Sequence, residues 1–317
     1  MTGSRSFRVD EASRAYRDVR HARFGRSHGV HKGVPLRGRG ANYTRARHVV
    51  EWTLTNAYRR DWPARIVRTL GMQRRVGVRA HRVATPRWPT EARPLRIAFV
   101  SDLHAGPTTH TTVLDDAFAA LASARADVLL LGGDYVFLTA DRIGEVSRRL
   151  AQLPRPPFGV FAVMGNHDLW ADDAAIAAAL SRAGARVLIN ERVVLPAPFG
   201  HVALVGLDDP WTGVRAQPPF LEDDRVRVLL VHAPEAMLYL GDASFDLALC
   251  GHTHGGHLAL PGGVPIVVPG PASRRFAHGR FELAGNRTLI VSRGVGSTEV
   301  ALRLNADPDI LVVELGG

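Results

Sequence analysis

Seven side chains able to ligate a metal fall in five short clusters along the chain. In order these are Asp102-x-His104, Gly133-Asp134, Gly165-Asn166-His167-Asp168, His232 and Gly251-His252-x-His254. Three offer oxygen (Asp102, Asp134, Asn166) and four offer imidazole nitrogen (His104, His232, His252, His254). Seven donors are too many for one tetrahedral zinc. They suit two divalent ions with one carboxylate between them. Mixed nitrogen and oxygen ligation without thiolate fits Mn, Fe, Zn, Ni or Co better than Cu(I) or an iron–sulfur cluster. The Asp-x-His and His-x-His spacings predict extended segments, in which residues two apart point the same way. The adjoining glycines let backbone and an anionic substrate come close. Singly, each cluster is weak. Gly-Asp after an apolar run is commonly a turn, and a lone His such as His201 or His278 reads as structural. Together and in order they are specific.

Each cluster follows a short apolar run, as the end of a buried strand would place it. The runs are Leu95–Val100, Val128–Leu131, Val160–Val163, Val226–Val231 and Leu247–Leu249, with a further one at Val202–Val205. Helical stretches lie between the early runs, at Thr111–Arg125, Asp141–Ala151 and Asp172–Ala183. This βαβαβα order predicts a parallel beginning to the sheet. Later strands (Arg186–Ile189, Val193–Leu195, Val202–Val205) come with few helices and predict more antiparallel character, and Leu289–Ser292 and Ile310–Glu314 read as closing strands. Ligands bind outside the carboxyl ends of strands in such folds, so five strands aim Asp, Asn and His at one edge.

The 317 residues include 40 Lys+Arg, 30 Asp+Glu, 14 His and one Cys, with 46% hydrophobic and 22% charged residues. That is ordinary for a globular protein and excludes a disordered chain or a disulfide scaffold. The longest uncharged run, Leu247–Ser273, contains Pro261, Pro265, Pro269 and Pro271, so it is not a membrane-spanning helix. The first 30 residues show no apolar stretch of the kind a secretory leader carries. The expected compartment is the cytoplasm.

The charge divides the chain at about residue 94. Residues 1–94 hold 22 Arg+Lys against six acids (Asp10, Glu11, Asp18, Glu51, Asp61, Glu91), a net +16. We therefore expect a basic N-terminal extension over 1–94 and a catalytic domain over 95–317. Within the extension, 1–47 reads as loosely ordered and 48–70 as amphipathic helix, split by Pro63. There Val49, Trp52, Leu54, Trp62, Ile66 and Leu70 alternate with Arg59, Arg60, Arg65 and Arg68. Such a segment either lies on an anionic membrane at the inner face or packs on the main domain with a solvated Arg face. Nucleic acid is the weaker partner. No nucleic-acid-reading motif accompanies the charge, and residues 1–47 hold few aromatics (Phe7, Tyr16, Phe24, Tyr43).

The five clusters resemble, in order, the motifs of the calcineurin-like metallophosphoesterases, over about Leu95 to Gly317. The finer pattern, with Gly-Gly-Asp-Tyr, Gly-His-Thr-His-Gly-Gly and Ser292-Arg293-Gly294-Val295-Gly296, is similar to the YkuE/YaeI-type bacterial phosphodiesterase branch. The resemblance implies a four-layer α/β/β/α sandwich with the metals at one edge. It implies one ion on Asp102, His104 and His254, a second on Asn166, His232 and His252, and Asp134 bridging them. A hydroxide shared by the ions would attack the phosphorus. His167 matches the general acid that protonates the leaving oxygen, and Asp168 its orienting partner. Asp168 also reads as a helix N-terminal cap. Many close relatives have Gln where His257 stands, so His257 is a candidate substrate contact just outside the metal-ligating set, or a tolerated swap. Arg293 offers either a cation to an anionic substrate or a structural salt bridge.

The activity this implies is hydrolysis of a phosphodiester or phosphomonoester, dependent on two divalent ions (Mn, Fe, Zn or Ni). Two alternatives remain: a lipid-linked nucleotide pyrophosphatase of the UDP-diacylglucosamine type, and a non-catalytic metal-binding scaffold.

Overall fold

The apolar runs are continuous because both faces of their strands are covered. In Leu95–Val100, Leu95, Ile97 and Phe99 point into one core while Ala98 and Val100 point into another. Val128 and Leu130 likewise face away from Leu129 and Leu131. Each such side chain, fully buried, contributes about 1.5–3 kcal/mol. The computed structural model describes residues 43–215, 223–240, 245–268 and 270–317. Most of residues 1–47, including Phe7, Tyr16 and Phe24, lies outside the described residues.

Among the described residues, fourteen strands build the fold. β1 (Gly77–Ala84), β2 (Leu95–Val100), β3 (Val128–Leu131), β4 (Val160–Ala162) and β5 (Ala185–Val187) enter the first sheet. β6 (Glu191–Val194), β7 (Val202–Gly206), β8 (Val226–Leu230) and β9 (Leu247–Cys250) enter the second. A small hairpin, β10 (Ala259–Leu260) with β11 (Val264–Pro265), follows. β12 (Gly279–Leu283) and β13 (Arg287–Val291) complete the second sheet, and β14 (Asp309–Gly316) returns to the first. The sheet orders are β1-β14-β2-β3-β4-β5 and β12-β13-β9-β8-β7-β6.

The helices are α1 (Arg45–Ala57), α2 (Trp62–Thr69), α3 (Thr111–Ser123), α4 (Ile143–Gln152), α5 (Asn166–Ala171), α6 (Asp173–Arg182) and α7 (Pro271–Arg275). One core lies between the two sheets, with Ile97, Phe99 and Leu130 against Leu204, Val228 and Leu249. A second lies under α3, α4 and α6. The third covers the far face of the second sheet with Ala236, Ala272 and Phe276, from short helical turns rather than long helices. The α/β/β/α layering is therefore present, with one thin outer layer.

Three expectations need correction. The second sheet is parallel through β7, β8, β9 and β13 and antiparallel only at its two outer pairs. The boundary at residue 94 cuts the first sheet, because β1 pairs along its whole length with β14. β1 is an edge strand with only Val83 buried, so its sequence lacks the apolar pattern that marks the central strands. Residues 43–47 are also not loose: Tyr43 is buried and α1 begins at Arg45, capped by the Thr44 side chain accepting from the Arg47 amide.

The helical segment breaks before Pro63, at a 3-10 turn over Arg59–Asp61 in which Arg60 and Asp61 take positive φ. Pro63 sits in the first turn of α2, where its missing N–H costs nothing. Apart from the buried Pro63 and Ala64, the apolar side chains of α1 and α2 are not buried in a core. Val49, Trp52, Ile66 and Leu70 are 59%, 64%, 48% and 65% exposed. Among the described residues no helix is long and apolar enough to cross a membrane.

Candidate metal centre

Every cluster follows a strand end: β2, β3 and β4 of the first sheet, β8 and β9 of the second. The site straddles the edge where the two sheets meet. Asp102, His104, Asp134, Asn166, His232 and His254 are all buried, and His252 is half-buried.

Two groups of ligand atoms form. Around the first, His104 Nε2 lies 3.1 Å from His254 Nε2 and 3.8 Å from Asp102 Oδ1, with His254 Nε2 3.6 Å from the same oxygen. Around the second, His232 Nε2 lies 3.2 Å from His252 Nδ1 and 3.2 Å from Asn166 Oδ1. Asp134 Oδ2 joins them, 3.5 Å from His104 Nε2 and 3.2 Å from His232 Nε2. Atoms bound to one ion at about 2.1 Å are roughly 3.0–3.4 Å apart at octahedral or tetrahedral angles. All seven expected donors are thus brought together, at spacings close to those a pair of divalent ions requires.

The backbone reaches this arrangement by turns, not extension. Asp102, His104, Asp134, His252 and His254 have φ of 53°, 42°, 56°, 71° and 52°. Left-handed conformation at five non-glycine residues in one site is stored strain, held by the surrounding hydrogen bonds. The amides of Asp102 and His104 donate to the carbonyls of Gly133 and Asp134, so the loops after β2 and β3 brace each other. The His252 amide donates to both Asp102 oxygens at 3.1 and 3.0 Å, joining the two sheets. Gly165 is required by packing: a Cβ there would stand 2.2 Å from Asp134 Oδ1.

Electrostatics favour cation binding. Burial holds the His104 and His254 imidazoles below their ordinary range and pushes His252 down to about 3. These rings are therefore neutral, as ligation requires. Burial opposes charge on His232 too, but the Asp134 carboxylate outweighs it and raises that ring. The pair keeps a proton where a divalent cation would take its place. His232 Nδ1 faces the Gly132 carbonyl at 2.8 Å, which directs Nε2 to the centre. Cys250 is fully buried in another core, so no thiolate enters the set. The residues fit two divalent ions.

His167 lies beside this centre, with a ring nitrogen within 4.8 Å of ligand atoms of His104 and Asp134. Its amide donates to Asp134 Oδ1 at 2.8 Å. Asp168 does not orient it. The Asp168 carboxylate accepts from the amides of Asp134, Tyr135 and Gly165 at 2.7, 2.8 and 3.0 Å. It caps α5 and fastens the β3 loop, because the N3 position of a helix points a carboxylate back at free amides. His257 is turned outward from the ligand set, with Nε2 2.8 Å from the Val300 carbonyl. Arg293 is 3.6 Å from Asp309, the partner the salt-bridge reading needs.

Four residues near the centre carry no sequence signal. Arg303, 5% exposed, brings Nη2 to 2.9 Å from His254 Nδ1 and donates to the Gly296, Arg293 and Ala306 carbonyls. Asp209 is fully buried, and burial pushes its carboxyl up to about 7. Arg47 of α1 pairs with Glu299 at 3.1 Å and approaches His167 Nδ1 at 3.5 Å. None follows a motif. Each is placed by contacts between distant parts of the chain.

Comparison with known proteins agrees with this geometry. The model of the calcineurin-like phosphoesterase family matches residues 95–256. Phosphodiesterase YaeI of Escherichia coli is 35% identical over 243 residues, covering 74% of this chain and 86% of that protein. An uncharacterized metallophosphoesterase of Aquifex aeolicus is 30% identical, covering 76% and 92%. The uncharacterized metallophosphoesterase YkuE of Bacillus subtilis is 28% identical, covering 69% and 78%. The chain belongs to the calcineurin-like phosphoesterase family and is a metal-dependent phosphoric ester hydrolase.

Proposed function

We propose that the chain hydrolyses a phosphodiester. Asp102, His104 and His254 would hold one divalent ion, and Asn166, His232 and His252 the other, with Asp134 shared. The observation that carries this is Asp134 Oδ2, within 3.5 Å of His104 Nε2 and 3.2 Å of His232 Nε2. When bound, two such ions supply Lewis acidity to the phosphoryl oxygens and acidify water near neutral pH. The chain's residues do the rest. Asn166 and Asp134 fix the substrate's edge of the site through their amide and carboxylate oxygens. His167 delivers a proton from its ring to the leaving oxygen, a role worth about 10²–10⁴-fold. Preference for a diester over a monoester is supported by the name of the similar YaeI.

The test is hydrolysis of an aryl phosphodiester and of the matching monoester by metal-stripped protein re-supplied with Mn, beside Asn166→Ala and His167→Ala. Metal-dependent diester turnover that falls by orders of magnitude in Asn166→Ala, and that in His167→Ala falls far more for an alkyl diester than for the aryl one, supports the reading. Protein that binds two ions and turns over neither ester is a scaffold.

A second reading concerns where the ester lies. Val49, Trp52, Trp62, Ile66 and Leu70 project from α1 and α2 with Arg45, Arg59, Arg60, Arg65 and Arg68, also exposed, between them. Helices packed on a domain bury their apolar side chains. These expose them among cations, as a helix resting on anionic lipid does. A lipid-linked phosphodiester at the inner face of the membrane fits that surface. Flotation with anionic vesicles tests it: Trp52→Ser with Leu70→Ser should abolish binding. Binding that persists in the double variant removes α1 and α2 as the contact.

A further inference from the structure

Arg47 lies outside every cluster that carries the ligands, 120 positions before His167. α1 nevertheless brings it to the catalytic edge. Its Nε donates to Glu51 Oε1 at 3.0 Å and its Nη1 to Glu299 Oε1 at 3.1 Å. The guanidinium carbon stands 4.4 Å from the ring centre of Trp170, in cation–π contact. Both carboxylate anchors are themselves braced. The Tyr43 hydroxyl donates to Glu51 Oε2 at 2.7 Å, and the Tyr58 hydroxyl to the Glu299 carbonyl at 2.9 Å. Nε, Nη1 and one face are thereby used, and Nη2 is left pointing at Nδ1 of His167, 3.5 Å away.

The His167 ring also meets the rings of His104 at 4.9 Å, Phe137 at 5.5 Å and Trp170 at 4.9 Å between centres, and a ring nitrogen lies within 4.8 Å of the Asp134 carboxylate. Asp168, its neighbour in sequence, is occupied by three backbone amides. A guanidinium has donors and no acceptor. Facing it, Nδ1 of His167 serves as acceptor and the ring's one hydrogen sits on Nε2; giving it to the leaving oxygen breaks Nε2–H and leaves an imidazolate whose charge the Arg47 guanidinium faces.

We propose that Arg47 is the positioning residue of His167, so that α1 completes the catalytic edge from outside the sandwich. This role presupposes His167 as proton donor to the leaving oxygen. Arg47 touches no reacting atom. It sets the ring's rotation through Nδ1 while Trp170 and Glu299 hold it in place. Misplacing a catalytic group by about 1 Å costs on the order of 10²-fold, and only the proton-transfer component should suffer.

The experiment compares two diesters, one with a p-nitrophenolate leaving group and one with an alkoxide, on the full chain loaded with metal. p-Nitrophenolate leaves without a proton, and alkoxide does not. Arg47→Lys and Glu299→Gln should slow the alkyl ester by about 10-fold to 100-fold and the aryl ester by less than about threefold. His167→Ala should show the same selectivity, more strongly. A second readout is independent of turnover: long-range ¹⁵N correlation of the His167 ring in metal-free protein should show an unprotonated Nδ1, and mixed tautomers in Arg47→Lys. Equal loss on both esters, or an unchanged His167 ring spectrum, overturns the role of Arg47. Loss of selectivity in His167→Ala itself overturns the proton-donor reading and this inference with it.

Discussion

The Nε2 atoms of His104 and His254 face each other across 3.1 Å, and burial holds both rings neutral. These residues are 150 positions apart and follow strands of different sheets. Their opposition is tolerable without an ion only by sharing one hydrogen, and a divalent cation between them removes that constraint. Chelation should therefore destabilise the fold. At a metal concentration 100 times its dissociation constant, binding to one site is worth about 2.7 kcal/mol. For a chain of this size that is roughly 4 °C in melting temperature for each site. Calorimetry with EDTA, then with Mn, Zn, Fe, Ni or Co restored, checks it. A melting temperature indifferent to all of them would sink the two-ion centre.

The two groups of ligands should empty separately. His254→Ala removes a donor from the Asp102–His104 group only, and His252→Ala from the Asn166–His232 group only. Each variant should bind one ion per chain by elemental analysis. Asp134→Ala takes the oxygen common to both groups and should bind fewer than either. Two ions retained in both histidine variants would mean that the grouping is wrong.

Asp168 and His167 should part in their phenotypes. Asp168→Asn weakens three amide contacts that brace α5 and the loop after β3. Burial pushes the Asp168 carboxyl up to about 8, so each of these hydrogen bonds is worth about 0.5–1.5 kcal/mol. The variant should melt well below the parent and lose activity equally toward esters with good and poor leaving groups. His167→Ala should keep its stability and discriminate between them. A leaving-group effect in Asp168→Asn would restore the orienting role that the sequence suggests and the hydrogen bonds deny.

What the sequence reveals here follows burial. β2 and β3 are legible to the residue because both faces are apolar, so composition alone marks their ends, and the ligands sit just beyond those ends. β1 is illegible because an edge strand with one buried residue carries no such mark. The ligand set is legible as residue types, but the extended-spacing rationale fails, since the pairs turn through left-handed φ. Asp168 reads equally as cap or catalytic partner until its three amides are seen. Arg47, Glu299 and Arg303 reach the site across more than a hundred positions or from beyond the last motif, and no local pattern announces such contacts.

The glycine before His252 offers a last test of how tightly the first ligand group is built. A Cβ on Gly251 would stand 2.1 Å from Ser101 Oγ and 2.2 Å from Asp102 Oδ2. Neither can retreat, since Asp102 is fully buried and receives the His252 amide on both oxygens. Gly251→Ala must push Asp102 away from His104 and His254. Overpacking of this kind costs about 1–3 kcal/mol. The variant should lose one ion by elemental analysis and keep the Asn166–His232–His252 ion. Gly144→Ala is the control: it lies in α4 with nothing within 4 Å of the added carbon. A Gly to Ala change in the first turn of the helix there should stabilise by up to roughly 0.5–1 kcal/mol and leave metal content untouched. Two ions retained in Gly251→Ala at unchanged melting temperature would show that Asp102 has room to move, and that the first group is looser than its distances imply.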